Sequence, residues 1–205
     1  MGVTTSVYLF LLCVVALMRV LELRISRRNQ RLLAAKGANR VPEPGFRWMV
    51  AFHAGVLISS GMEVALLKRP LVPPLALLMG LLVVLAVGLR WWVIRAMGEH
   101  WNVRIVASAE LGVVTDGPFR WVRHPNYVAV FVELLALPLL HTAWLTAAVG
   151  AALHYRVLSG RIRAEESILL SNPAYAAAMG SKPRFVPRLF GNSTKSSGER
   201  LEPKA

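Results

Sequence analysis

The chain has 205 residues, of which 55% are hydrophobic and only 17% charged, and its mean hydropathy is +0.49. Too little polar surface remains to cover a water-exposed globule, and long apolar runs over most of the chain exclude disorder. The 24 Lys+Arg against 11 Asp+Glu give a net charge of +13. In a soluble protein that excess would suggest nucleic acid. Here the basic residues fall between apolar runs, so they read as loops beside anionic lipid, and no nucleic-acid partner is expected.

The predicted fold is all-α, a polytopic membrane protein with about five transmembrane helices. The first apolar segment runs from Val3 to about Met18 and has neither a basic n-region nor a small-residue cleavage site, so it is read as a retained span. It contains the single cysteine, Cys13, which excludes an internal disulfide and a Cys-rich metal site. The basic stretch Arg19–Ala35 interleaves Leu21, Leu23, Ile25, Leu32 and Leu33 and is expected to lie along the interface. Ala35–Gly45 holds Gly37, Asn39, Pro42, Pro44 and Gly45 and reads as a linker. The second span runs from about Trp48 to Leu67. The third runs from Leu71 to Leu89, with a continuation through Trp91, Trp92 and Ile94. The fourth, about Tyr127–Leu140, and the fifth, about Ala143–Leu158, each fall short of the roughly 20 residues that cross a bilayer. Only a short turn parts them, so they are expected to form a helical hairpin. The tail Gly191–Ala205 is polar and expected to be disordered.

Of the 24 basic residues, 22 lie in residues 19–47, 90–125 and 156–205. With five spans those segments share one side. The positive-inside rule then puts the N-terminus outside and the C-terminus, with the chemistry, at the cytoplasmic face.

The densest polar cluster, Gly117-Pro118-Phe119-Arg120-Trp121-Val122-Arg123-His124-Pro125-Asn126-Tyr127, sits just before the fourth span. Pro125 biases His124 away from the helical region and suits a helix's first turn. The free N–H groups there favour a carboxylate or phosphate, with Arg123 and His124 as further donors. An interfacial anchor of Arg and Trp explains the same composition equally well. A second cluster follows the fifth span: Arg156, Arg161, Arg163, Glu165 and Glu166. The spacings Arg161/Glu165 and Arg163/Glu166 allow ion pairs on a helix, and surface pairing is the plain reading. If the hairpin brings both clusters together, the result suits a zwitterionic, partly cationic ligand. No Rossmann fingerprint, P-loop, zinc-ligand spacing or nucleophile elbow is present, and no metal is expected. Glu63 and Glu133, inside apolar runs, are candidates for an acceptor pocket. His53, His141 and His154 read as packed or interfacial. Trp91, Trp92 and Trp101 read as an aromatic belt, with Trp101 and Asn102 as an alternative lid.

Arg123-His124-Pro125-Asn126-Tyr127, followed by Arg161-x-Arg163-x-Glu165-Glu166-x-x-Leu169, Tyr175 and Phe185-Val186-Pro187, resembles the isoprenylcysteine carboxyl methyltransferase family over roughly residues 90–190. Gly98-x-x-Trp101-Asn102-x-x-Ile105 and His-Pro-Asn-Tyr look more like a bacterial branch associated with alkylpyrone and alkylresorcinol O-methylation. Phe119 stands where many members have Tyr, and Ala129 where many have Gly. The resemblance implies an integral-membrane O-methyltransferase with S-adenosyl-L-methionine as cofactor and a lipophilic acceptor entering from membrane lipid. By motif position, Arg123, His124, Pro125, Asn126 and Tyr127 would contact the cofactor, Glu165 and Glu166 would close the pocket, and Arg163 or Arg161, with Glu166, would act on the acceptor. It also implies a division into N-terminal transmembrane helices (1–95), a methyltransferase core (96–190) and a tail (191–205). Alternatives are carboxyl methylation of a prenylated cysteine, an NADPH-dependent membrane reductase, and a non-enzymatic scaffold or transporter.

Overall fold

A computed structural model describes residues 2–40, 43, 45–107 and 112–188. The expected tail 191–205 lies outside the described residues. Among the described residues six α-helices carry the fold: α1 (Val3–Ala35), α2 (Phe46–Leu66), α3 (Pro73–Met97), α4 (Pro125–Leu140), α5 (Trp144–Leu169) and α6 (Pro173–Met179). Two short segments, β1 (Asn39–Arg40) and β2 (Val106–Ala107), pair antiparallel and tie the α1–α2 connection to the α3–α4 connection.

Among the described residues three helices are long and apolar enough to cross a membrane: α1, α2 and α3 with its one-turn extension to His100. The expected interfacial helix Arg19–Ala35 is not a separate element. No Gly or Pro interrupts residues 3–35, so the first span continues unbroken for 33 residues, about 50 Å of helix. α3 starts on Pro73-Pro74 and stops at Gly98, whose φ of +51° no helix continues through.

α4 and α5 form the expected hairpin, joined by His141, Thr142 and Ala143. α4 has 16 residues, about 24 Å against a hydrocarbon core of about 30 Å. The closed end of the hairpin is pinned by hydrogen bonds to α1, α2 and the α2–α3 connection. Tyr8 of α1 donates to the Leu137 carbonyl at 3.0 Å, and Thr142 donates to Pro70 O at 2.6 Å. Glu63 of α2 caps α5, accepting from Leu145 N at 3.1 Å and from Thr146 N and Oγ1 at 2.8 Å, while Arg69 pairs with it at 2.8 Å. Glu63 is therefore a cap supplied by a neighbouring helix, which satisfies N–H groups that α5 cannot pair itself. The apolar core lies among α1, α2, α3 and α4, around Leu12, Val15, Val64, Val83, Ala136 and Leu137.

Candidate active site

The chain reaches α4 through a one-turn 3-10 helix, Gly117–Arg120. Gly117 has φ +57°, and a Cβ there would meet Ala96 Cβ at 2.9 Å and Trp92 Nε1 at 3.1 Å, so the turn against α3 admits only glycine. Beyond it the backbone extends. Arg123 N and His124 N donate to the carbonyls of Pro183 and Arg184, both at 2.9 Å, and Lys182 Nζ reaches Phe119 O at 2.8 Å. Residues 182–184, after α6, thus form a strap across the motif. Pro125 then starts α4.

At the open end of the hairpin the two polar clusters converge. Glu166, buried, gathers His124 Nε2 at 3.0 Å, Arg123 at 3.4 Å, and Arg184 through Nε at 3.0 Å and Nη2 at 2.5 Å. Burial alone would raise its carboxyl, but the bonds from Arg184 and His124 and the charge of Arg123 hold it below the usual carboxylate range. Tyr127 donates to Glu165 and accepts from Arg161 Nε at 2.9 Å. Arg161 is fixed further by Glu43 at 2.8 Å and by the Val103 carbonyl at 2.6 Å. Burial, reinforced by the Glu165 charge, pushes Tyr175 up to about 12, so it is a neutral donor at physiological pH.

These groups face a cavity of about 1220 Å³ that runs from the motif down between α1, α2 and α4. Arg123, His124, Pro125, Asn126, Tyr127, Arg161, Glu165 and Tyr175 line it. Among the described residues, Arg123 Nε, Asn126 Oδ1, Trp101 Nε1 and Asn102 Nδ2 are buried with no hydrogen-bond partner. Such atoms are costly when left unmet, so this end of the cavity is built for a polar ligand.

Two expected site residues stand elsewhere. Glu166 lies behind the wall, where it holds Arg123 and His124 in place. Arg163 is exposed on α5 and does not line the cavity. Among the described residues neither expected helical ion pair forms: Arg161 meets Glu165 through the Tyr127 hydroxyl, and Arg163 and Glu166 do not pair. Trp101 is not part of an interfacial belt but a core residue, 2% exposed. His53 and His154 pack with Phe52 and Phe131 and also line the cavity.

Sequence reasoning missed Glu43 and Arg184. Glu43 is a lone acid between Pro42 and Pro44 in a basic stretch, which was its only signal. It named Glu133 but missed the charged partners that surround it deep in the cavity. Arg90 of α3 bridges Glu133 of α4 at 2.6 Å and Glu22 of α1 at 3.5 Å; Arg19 meets Glu22 at 2.8 Å and Glu133 at 3.3 Å. Glu133 thus lines the cavity, whereas Glu63 does not.

Residues 77–171, which include both clusters, match the model of the isoprenylcysteine carboxyl methyltransferase (ICMT) family. The chain belongs to that family. It is 30% identical over 161 residues to the uncharacterized protein YpbQ of Bacillus subtilis, covering 78% of this chain and 94% of that one. It is 30% identical over 162 residues to an uncharacterized protein of Haemophilus influenzae, covering 77% of this chain and 91% of that one. Among solved structures it is similar to the eukaryotic intramembrane Ras methyltransferase ICMT, with a TM-score of 0.50 at 21% identity over 67% of this chain. The chain spans about half the length of that enzyme, with 50% of it covered, and the likeness concerns the fold. Family and apolar helices together make this ICMT-family chain an integral-membrane methyltransferase.

Proposed function

We propose that this chain is an S-adenosyl-L-methionine-dependent O-methyltransferase of lipophilic acceptors, working at the cytoplasmic face of the membrane. The observation that carries the reading is the two-ended cavity: one end holds unpartnered buried donors and acceptors beside Glu165 and Arg161, and the other runs between apolar helices. The positive-inside count supports the cytoplasmic side. In this reading residues 96–190 are the cofactor core and residues 1–95 wall the acceptor side.

The residues fit the cofactor's chemistry. It carries a carboxylate, an ammonium group, a ribose diol and an adenine on a cationic sulfonium. The Arg123 and His124 side chains suit the carboxylate. Asn126 Oδ1 and Glu165 suit the ammonium or the diol, and Pro125 and Tyr127 shape the wall they share. When bound, the cofactor supplies an activated methyl group, so the protein's work is alignment and exclusion of water.

Arg161 is the group that meets the acceptor oxygen. Glu43, Tyr127 and the Val103 carbonyl hold its guanidinium rigid, so it presents a fixed cation where the apolar and polar halves of the cavity join. A carboxylate or enolate acceptor needs only that cation; a phenol needs a base, and Glu165, which shares the Tyr127 hydroxyl with Arg161, is the carboxylate next to it on the wall. Glu166 positions Arg123 and His124. Arg163, facing away, has no part. The test is transfer of labelled methyl from the cofactor into lipid-extractable product by the full chain in lipid nanodiscs, with an alkylresorcinol and a farnesylcysteine analogue offered separately. Incorporation into the alkylresorcinol alone supports the bacterial acceptor type, and incorporation into farnesylcysteine alone replaces it. Folded protein that binds no cofactor by calorimetry refutes the reading.

A further inference from the structure

Arg19, Glu22, Arg90 and Glu133 lie on three helices, α1, α3 and α4, and all line the cavity. Glu22, Arg90 and Glu133 have side chains 5%, 7% and 8% exposed. A buried charge is expensive, and two cations with two anions in mutual contact offset one another. Purely structural pairing would be expected to use every atom. Here it does not: Arg19 Nε, Arg90 Nε and Glu22 Oε1 are buried without a partner, two donors and one acceptor left over.

That remainder has a definite complement. An alcohol hydroxyl donates its one hydrogen to a carboxylate oxygen and accepts with its lone pairs from an N–H. A second carboxylate or a phosphate would add a net charge to a group that is already balanced, and would have to break an ion pair to bind. A plain alkyl chain would leave all three atoms unmet. Glu133 follows Tyr127 by six residues on α4, about 9 Å along the axis, so the group lies beyond the site where Arg161 meets the acceptor.

We propose that Arg19, Glu22, Arg90 and Glu133 form a selector that recognises a neutral hydroxyl carried within the apolar body of the acceptor, remote from the oxygen that is methylated. This deepens the proposed function and rests on that reading for what the cavity holds. The selected substrates are amphiphiles with two polar positions, a head that takes the methyl group and a hydroxyl farther along. Singly functional lipids of the same length are discriminated against because they strand the three atoms.

The test uses the full chain in nanodiscs with S-adenosylhomocysteine bound, and two probes: para-dodecylphenol and the same phenol with a hydroxyl near the middle of its chain. Wild type is expected to bind the hydroxylated probe about tenfold tighter, the size of one hydrogen bond to a charged partner. The charge-neutral double variant Glu22→Leu/Arg90→Met keeps the Arg19–Glu133 pair and is expected to reduce the preference to below about twofold. If that variant fails to fold, the isosteric Glu22→Gln is expected to reduce it about threefold. Equal affinity in wild type, binding of neither probe, or a preference that survives the variants overturns the selector. Affinity for S-adenosylhomocysteine is measured in parallel: its loss in wild type refutes the methyltransferase reading, while a change in probe preference alone concerns the selector.

Discussion

The two ends of the α4–α5 hairpin are built from the same residue types and differ in what they leave unmet. At the closed end both oxygens of Glu63 are used, by three groups of α5 and by Arg69, and the hydroxyls of Tyr8 and Thr142 each find a carbonyl. His141 is the exception, with both ring nitrogens unpartnered, and it packs against Tyr8 at 5.3 Å between centroids. At the open end Glu166 is fully engaged and Glu165 accepts from Tyr127, yet Asn126 Oδ1 and Arg123 Nε beside them are buried and unmet. The closed end is a joint, because its carboxylate and both hydroxyls are spent on holding helices together. The open end is the candidate site, because its framework is satisfied while groups on its wall are left unmet.

The largest test of that contrast removes the joint. Glu63→Ala strands the first N–H groups of α5 and an arginine, and is expected to cost about 3 kcal/mol of stability, less if water reaches Arg69. Thermal unfolding in detergent would register it, while cofactor affinity of the protein that remains folded should be unchanged. A fall in affinity without a fall in melting temperature would erase the distinction between the ends. Tyr127→Phe attacks the site instead. It deletes the hydroxyl that joins Arg161 to Glu165, and is expected to weaken cofactor binding by about ten- to a hundredfold with little change in melting temperature.

Glu166→Gln is expected to be smaller, about tenfold on cofactor affinity, because Arg184 is half exposed and its bond to Glu166 is partly replaced by water. Its pH dependence has a definite sign. The Glu166 carboxyl is held below the usual range, so its contribution to stability is complete at neutral pH and disappears only as pH falls through that lowered value. Wild type and Glu166→Gln should therefore differ at pH 7 and converge in strong acid, as followed by protease cleavage of the 182–184 strap. The smallest expected effect is that of Arg163→Ala: activity within about twofold and stability within about 0.5 kcal/mol, as for an exposed substitution away from any site. A larger loss of methyl transfer would return Arg163 to the site.

Much of the fold was legible because lipid imposes a simple rule. A bilayer-crossing segment must satisfy its own backbone, so apolar length reads directly as helix. The hairpin followed from two runs too short to stand alone and a turn between them. The motif before α4 was legible because Gly117, Pro118 and Pro125 punctuate the chain locally. Helical spacing misled within the second cluster. It pairs Arg163 with Glu166 by proximity, whereas Glu166 found Arg184, His124 and Arg123, whose geometry depends on α4 and the strap. Glu43 was invisible for the same reason, lying 118 residues from the arginine it holds.

Composition and hydropathy by themselves determined a helical membrane protein, because the free energy of placing residues in lipid is nearly additive along the chain. The punctuated motif determined where polar chemistry could gather. Which residues face the cavity and which merely brace it was decided only by the tertiary structure. A charged side chain commits to a partner across helices through short-range contact, and sequence spacing records only the partners on its own helix.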